Sequence, residues 1–280
     1  MEIIPEHEWE ALAEEMIRNN ALTVLIGATD SGKSTLAKYL IKKLLSKNIR
    51  VSYVDSDVGQ SSLGLPGTIS MKIFEKPGDM DNFRPDNILF IGSLNPAKKI
   101  PMVIDGTKKM VNISKTKGVK TILVDTTGLI SGAVGRALKL GKIRALKPKL
   151  IIAIQRFNEL EHILSLIEGI QVHRLKASRY AKKKSREARI KYRNKRFMEY
   201  LRNSKIIEFP FKGLEFFYGV RPFDIEKACI ETGSLIGINS GSDTIALGIF
   251  EGVVRDKVVI KTPLKSTQGV NRIVFGDIIT

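Results

Sequence analysis

The chain has 280 residues, of which 43% are hydrophobic and 27% are charged, a composition typical of an ordinary soluble protein. Its formal net charge of +17 favours a polyanionic partner. No apolar run approaches the roughly 18 residues needed to cross a membrane, and the acidic N-terminus does not resemble a signal peptide, so we expect a cytoplasmic protein with no membrane partner. The single cysteine, Cys229, excludes an internal disulfide and a thiolate-rich metal site, and we expect it to be a small core residue.

An amphipathic helix is predicted over Glu6–Asn19, and the most informative stretch of the chain follows it. Residues 22–36 read LTVLIGATDSGKSTL, which places the phosphate-loop motif G-x-x-x-x-G-K-[ST] between a strand and a helix, its required context. Backbone N–H groups of such a loop surround phosphates, and the next helix adds its positive N-terminal end. We therefore predict that a nucleoside triphosphate binds here, with Lys33 at its β- and γ-phosphates and Ser34 at Mg²⁺. The predicted nucleotide-binding residues are Gly27, Ala28, Thr29, Asp30, Ser31, Gly32, Lys33, Ser34 and Thr35.

Carboxylates follow the second predicted strand, Ile49–Val54, as Asp55 and Asp57. Open α/β sheets bind ligands at the carboxyl ends of their strands, and residues two apart on an extended strand share a face. We therefore expect both carboxylates to face the nucleotide. A solvated acidic turn is the alternative, but beside a phosphate loop Mg²⁺ ligation and general-base catalysis are favoured.

The next elements alternate between strands and helices. Strands are predicted at Ile69–Phe74, Ile88–Ile91, Thr121–Asp125 and Leu150–Gln155, and helices at Lys98–Ser114 and Val134–Ala145. Asp125 ends the strand TILVD, as the second acidic motif of phosphate-loop enzymes does, and the turn after it, Thr126–Gly128, would place hydroxyls beside the metal. This alternation predicts an α/β P-loop NTPase with a mostly parallel sheet flanked by helices.

The stretch from 174 to 205 is strongly basic. It holds fourteen lysines and arginines but only two acidic residues, and four aromatic residues are interleaved with them. Most charge-rich helices are solvated surfaces, but their charges usually alternate in sign. We therefore predict a basic helical lid that binds phosphates, in which Arg189 and Arg193 lie one turn apart on one face. Beyond it, short β-like runs predict a small β-rich C-terminal domain over 206–280, after a P-loop domain over 1–205.

Four motifs, in this order, resemble the polynucleotide 5′-hydroxyl kinase family. That family includes the kinase subunit of the eukaryotic pre-mRNA cleavage factor and the nucleolar pre-rRNA processing kinase. The motifs are GATDSGKS (27–34), DSDVGQSSLGLPGT (55–68), DTTG (125–128) and the pair R-x-x-x-R (189–193). The sequence departs from the family at Leu129, where a tryptophan is usual, and at Asp125, where many members have asparagine.

The resemblance implies an RNA-processing kinase that uses ATP and Mg²⁺ to phosphorylate the 5′-hydroxyl of RNA or DNA. It implies that Lys33, Asp57, Arg189 and Arg193 are catalytic, with Asp57 activating the hydroxyl, and that Ser34, Asp57 and Asp125 hold the metal. The residues implied to bind the acceptor are Asp55, Gln60, Pro66, Gly67, Thr68, Thr126, Thr127 and Gly128. The alternatives are a nucleotide-dependent RNA-processing scaffold or switch of the same fold, and a kinase or GTPase that acts on a small molecule or protein.

Overall fold

The computed structural model describes residues 3–280, in which a single mixed sheet of fourteen strands carries helices against its parallel part. The helices are α1 (His7–Asn19), α2 (Lys33–Ser46), α3 (Ile100–Thr116), α4 (Gly132–Leu146), α5 (Glu161–Leu164) and α6 (Arg186–Leu201). The strands of the first part are β1 (Leu22–Gly27), β2 (Val51–Ser56), β3 (Thr68–Phe74), β4 (Asn87–Phe90), β5 (Thr121–Thr126), β6 (Leu150–Gln155) and β7 (Gln171–Lys176). Those of the second part are β8 (Lys205–Pro210), β9 (Glu215–Tyr218), β10 (Arg221–Pro222), β11 (Ser234–Ser240), β12 (Asp243–Val254), β13 (Lys257–Thr262) and β14 (Arg272–Ile279).

The parallel part of the sheet has the order β2-β5-β1-β6-β7. Because parallel strands end at the same edge, the loops after β1, β2 and β5 lie side by side. The register places Asp55 directly beside Asp125 and Gly27 beside Ile154. The sheet therefore fixes the phosphate loop between the acidic strand ends on one flank and the end of β6 on the other.

Helices cover both faces of the parallel strands, and the alternation along β1 shows how. Val24 and Ile26 pack into the cluster that includes α3 and α4, whereas Leu25 packs into the cluster of α1 and α2. Side chains alternate between the two faces of a strand, so a strand that is buried on both faces must be apolar throughout. Every residue of β1 is buried, and Thr23 is the one polar residue among them.

The strands after residue 205 have an apolar cluster of their own, rich in phenylalanine. They join the first part where β12 pairs with β4 at Thr244 and Ile88, and the Thr244 hydroxyl accepts the Phe90 N–H at 3.0 Å. The parallel core, its flanking helices and the β-rich C-terminal part confirm the predicted fold class. The predicted domain boundary after residue 205 stays a prediction.

Three features differ from the sequence-based expectations. The basic stretch begins in edge strand β7, whose sequence QVHRLK pairs with β6 and is partly exposed. Its helix begins only at Arg186, and the Ser185 hydroxyl caps that helix by accepting the Ala188 N–H. The expectation that Cys229 is a core residue was wrong, because it is exposed in a segment outside the regular strands. β3 is antiparallel to β2, and β4 is antiparallel to β3, so these two strands extend the sheet beyond its parallel core. Across residues 3–280, no helix has the length and apolar character needed to span a membrane.

Candidate active site

The phosphate loop joins β1 to α2 with a backbone that only some residues adopt readily. Gly32 has φ +97° and Asp30 has φ +57°, both in the left-handed region. Lys33 is buried and spans the loop, since its Nζ donates to the carbonyl oxygens of Gly27 at 3.0 Å and Ala28 at 2.7 Å. Burial lowers the pKa of Lys33, while neighbouring carboxylates, above all Asp125, oppose that shift.

Ser34 and Asp125 form the polar centre of the site. The Ser34 hydroxyl donates to Asp125 Oδ2 at 2.5 Å, and the Tyr53 hydroxyl donates to the same oxygen at 3.1 Å. Burial raises the pKa of Asp125, and the nearby Lys33 and Ser34 oppose this. Asp125 Oδ1 is also buried but has no hydrogen-bond partner in the described part of the chain. One unpartnered carboxylate oxygen beside a serine hydroxyl fits Mg²⁺, which is usually held by one or two carboxylates together with phosphates and water.

Asp55 and Asp57 have different surroundings. Asp55 is 1% exposed, and its Oδ2 accepts the N–H groups of Ser62 and Leu63 at 2.6 and 2.9 Å and two serine hydroxyls. Burial, with a contribution from Asp125, raises the pKa of Asp55 to about 6. Its carboxylate therefore organises the loop that follows β2, and it is buried, whereas Asp57 is only partly buried.

Asp57 lies one residue beyond the end of β2 and is only partly buried. Its Oδ1 accepts the N–H groups of Gly59 and Gln60, each at 3.1 Å. Because the strand ends at Ser56, Asp57 belongs to a tight turn, and this is why the alternation expected for a strand does not apply to it.

The other predicted acceptor residues after β2 are buried or partly buried. Gln60 is partly buried, donates its amide to the Gly59 carbonyl at 2.9 Å and leaves Oε1 buried without a partner among the described residues. Pro66, Gly67 and Thr68 are buried. Gly67 has φ +84°, and its carbonyl accepts the N–H groups that follow β4 at 2.9 and 3.1 Å. These three residues connect the loop to β3 and β4.

The turn after β5 packs directly on the phosphate loop. A Cβ added at Gly128 would lie 2.5 Å from both the N and the Cα of Thr29, so only glycine fits there. The Thr126 hydroxyl donates to the Leu25 carbonyl at 2.7 Å, and Thr127 is buried. The turn is therefore held against β1 at one end and against the loop at the other.

Two buried lysines of α4, which the sequence reasoning missed, support these strand ends from below. Lys139 Nζ donates to the Thr126 hydroxyl at 2.7 Å and to the Thr127 carbonyl, and Lys142 Nζ donates to the Ser56 hydroxyl and to its carbonyl at 3.3 Å. Burial lowers the pKa of Lys139 well below its ordinary value and lowers that of Lys142 to about 8. The sequence feature that could have identified these two lysines is their three-residue spacing on a helix among leucines that are buried.

Helix α6 lies over the site as a lid. Arg189 Nη2 donates to Asp30 Oδ2 at 2.6 Å, the Tyr192 hydroxyl donates to the Ser61 carbonyl at 2.8 Å, and Arg196 donates to the Leu63 carbonyl at 3.1 Å. One face of the helix thus bridges the phosphate loop and the loop after β2. Arg193 is partly buried on this side of the helix and has no hydrogen-bond partner within residues 3–280.

The structure thus brings Lys33, Ser34, Asp57 and Asp125 to one edge of the sheet, with Arg189 above them. Asp55 and the three turn residues at 66–68 are buried beside this edge.

Comparisons with known proteins agree with this arrangement. A family model described as the mRNA cleavage and polyadenylation factor CLP1 P-loop matches residues 27–203. The chain is 39% identical over 237 residues to a polyribonucleotide 5′-hydroxyl-kinase of Methanocaldococcus jannaschii, covering 82% of this chain and 65% of that protein. It is 37% identical over 223 residues to one of Pyrococcus abyssi, covering 78% of this chain and 62% of that protein.

The chain therefore spans less than two thirds of the length of these two relatives. A chain of the solved wild-type Clp1p–Pcf11p complex has the same fold, with a TM-score of 0.77 at 11% identity over 99% of this chain and 80% of that one. The matched range contains the phosphate loop, the loop after β2, the turn after β5 and the lid helix, and it exceeds half of the sequence, so the chain belongs to the CLP1 P-loop family.

Proposed function

We propose that this protein is a polynucleotide 5′-hydroxyl kinase, which transfers the γ-phosphate of ATP to the 5′-hydroxyl of RNA and possibly of DNA. One observation carries the proposal: a partly exposed carboxylate, Asp57, shares a sheet edge with a phosphate loop under an arginine-bearing lid. The names of the Methanocaldococcus and Pyrococcus relatives support the same activity.

On the donor side, the loop amides and Lys33 would hold the phosphates. Lys33 is already directed across the loop by the carbonyls of Gly27 and Ala28. Ser34, Asp125 and Asp57 would hold Mg²⁺, with Asp125 Oδ1 as the free carboxylate oxygen. When bound, the ion would neutralise charge on the phosphate oxygens.

On the acceptor side, the 5′-hydroxyl oxygen would attack the γ-phosphorus while Asp57 accepts the hydroxyl proton. The bond between the γ-phosphorus and the bridging oxygen of the β-phosphate breaks in the same step. Asp55 is too deeply buried for this role, and we assign it to positioning the loop. We propose that two groups orient the acceptor nucleotide. They are Gln60, through its unpartnered Oε1, and the turn Thr126–Gly128.

The lid would act at both substrates. Arg189 and Arg193 lie on the face turned towards the phosphate loop, and arginines so placed contribute about 10³–10⁵ in rate in phosphate-loop enzymes. Exposed cations elsewhere in the basic stretch 174–205, such as Lys182, Lys191 and Lys195, would contact the phosphates of the nucleic acid.

The test incubates the protein with γ-labelled ATP, Mg²⁺ and 5′-hydroxyl RNA and DNA oligonucleotides. We expect label at the 5′ end, which a pre-existing 5′-phosphate blocks. Lys33→Ala and Asp57→Asn should abolish transfer, whereas the exposed Lys42→Ala and Asp81→Asn should not. ATP hydrolysis without labelled oligonucleotide would overturn the proposal and support a scaffold or switch, and full transfer by Asp57→Asn would refute the assigned base.

A second measurement tests the lid. Arg189→Ala should lower turnover by more than it weakens ATP binding, because the guanidinium contacts the phosphate most closely as charge develops in transfer. Oligonucleotide affinity should fall steeply with salt, since several lid cations would displace counterions from the phosphates. Failure to bind oligonucleotides at moderate salt would instead favour a small-molecule or protein substrate.

A further inference from the structure

Phe157 is exposed beside the phosphate loop, and the proposed reaction gives it no role. It is 83% exposed, more than any other large hydrophobic residue in the described chain. It follows Gln155, the last residue of β6, at the same sheet edge as the loop after β1. Single exposed hydrophobic residues are common, so its exposure alone indicates nothing. Its surroundings are more informative.

The loop that carries Phe157 is fixed from two directions. The two carboxylate oxygens of Glu159 accept the N–H groups of Arg156 and Phe157, each at 2.8 Å. Partial burial acts to raise the pKa of Glu159, but these hydrogen bonds hold that pKa below its ordinary value. Arg156 Nη2 in turn donates to the carbonyl of Asp30 at 2.7 Å. The phenyl ring therefore stands on a turn that is fastened to the phosphate loop itself.

The strand order indicates which end of a nucleotide would lie near this ring. Ser34 and Asp125, the residues that would hold the metal beside the γ-phosphate, lie on the flank of β1 that faces β5. β6 lies on the other flank of β1. A triphosphate that follows the loop with its γ end towards β5 must therefore direct its nucleoside towards β6 and Phe157.

A second segment closes the same flank. The Ala177 N–H donates to the Gln155 carbonyl at 2.9 Å, and the Lys184 N–H donates to Asp30 Oδ2 at 2.9 Å. The chain between these two points runs from the end of β7 to the phosphate loop. It therefore begins beside the Phe157 turn and ends at Asp30 of the phosphate loop, on the β6 flank of that loop.

We propose that Phe157 stacks on the nucleobase of the nucleoside triphosphate donor. This inference rests on the phosphate site of the proposed function and adds a site for the other end of the same ligand. Aromatic rings stack on any base because every base has a π-face, so the contact adds affinity without selecting one base by hydrogen bonds. Anchored phosphates and a fixed ring together would orient the whole nucleotide.

The test compares ADP with inorganic tripolyphosphate, a ligand that has phosphates but no base, by calorimetry in the presence of Mg²⁺. Phe157→Ala should weaken ADP binding about 10-fold and leave tripolyphosphate binding unchanged. Phe157→Trp should retain the affinity for ADP, and its added indole fluorescence should change with ADP but not with tripolyphosphate. Val220→Ala, which alters a residue 69% exposed between β9 and β10, is the matched control and should change neither affinity.

Unchanged ADP affinity in Phe157→Ala would overturn the proposal, and so would an equal loss for both ligands, which would indicate a disturbed loop. None of these measurements requires phosphate transfer. A protein that passes them but labels no oligonucleotide would refute the proposed kinase activity and leave the base site supported.

Discussion

Arg189 of the lid and Asp30 of the phosphate loop form an ion pair, with Nη2 and Oδ2 2.6 Å apart. The same aspartate accepts the Lys184 N–H through Oδ2 and the Arg156 guanidinium through its carbonyl. One residue of the phosphate loop therefore fastens both the start of the lid and the turn after β6. An incoming phosphate would compete with the Asp30 carboxylate for Arg189, so we expect nucleotide binding to change how the lid is held.

Asp30→Asn should loosen the lid, because the amide keeps an oxygen for the Lys184 N–H but removes the charge that holds Arg189. A hydrogen bond to a charged group contributes about 1.5–3 kcal/mol, so we expect trypsin to cleave the basic segment several-fold faster. Mass spectrometry of timed digests would locate the cuts. Glu10→Gln weakens an exposed pair with Lys43 on α2, far along the chain from the lid, and should leave that rate unchanged. An equally resistant lid in Asp30→Asn would show that the pair does not restrain it.

The sequence predicted those parts of the site that depend on local pattern. The phosphate loop is a contiguous motif whose glycines and flanking elements determine its backbone, and Asp125 follows the apolar run Ile122–Val124 near the end of β5. Contacts between distant segments were not predictable in this way. The pairing of Lys142 with Ser56 joins residues 86 positions apart and exists only because α4 packs beneath the ends of β2 and β5.

The differences between prediction and structure at β2 and β7 had another cause. The strand alternation used to orient Asp55 and Asp57 holds only while the backbone stays extended, and β2 ends at Ser56. The strand extends two residues beyond its predicted end at Val54, but Asp57 still lies past it, so the alternation does not determine the environment of Asp57. Strand β7 was hidden for a related reason, because an edge strand with polar alternation resembles a charged surface segment.

The two carboxylates after β2 should respond differently to the same substitution. In Asp55→Asn the amide group would face N–H donors at Ser62, Leu63 or Asp57, so we expect a loss of roughly 1–3 kcal/mol in the free energy of unfolding. Asp57→Asn loses only a partly exposed charge at a turn and should unfold close to the wild type while transferring no phosphate. Urea unfolding and the labelling assay together distinguish the two. Equal stability of the two variants would contradict the structural role given to Asp55.

Gly128→Ala should disrupt the phosphate loop from outside. Its Cβ would lie 2.5 Å from the N and Cα of Thr29, a distance that requires the backbone to move. We expect the affinities for ADP and for tripolyphosphate to fall together, each by about 10-fold or more, because both ligands bind the displaced loop. A 10-fold loss of affinity corresponds to a loss of about 1.4 kcal/mol in binding free energy. Gly78→Ala is the matched control, because an added Cβ there meets no atom within 4 Å. Retained affinity for both ligands would refute the close packing of the turn on the loop.

The buried Lys142 should make stability depend on pH in a defined direction. Burial lowers its pKa from 10.5 to about 8, so between these values the unfolded chain holds the proton more firmly than the folded protein does. Because stability rises with pH wherever the unfolded state binds more protons, the contribution of Lys142 to the free energy of unfolding should increase from about pH 8 to about pH 10.5, by at most about 3 kcal/mol.

Lys142→Met removes this titration while keeping an apolar side chain of similar length. The free energy of unfolding of Lys142→Met minus that of the wild type should therefore decrease across this interval in metal-free buffer, because only the wild type gains stability there. Urea titrations at half-unit pH steps measure that difference, and the buried Lys139, present in both proteins, largely cancels from it. Lys42→Met, at an exposed position of α2, should give a difference that is constant with pH. A constant difference for Lys142→Met as well would show that Lys142 keeps an ordinary pKa beneath the strand ends.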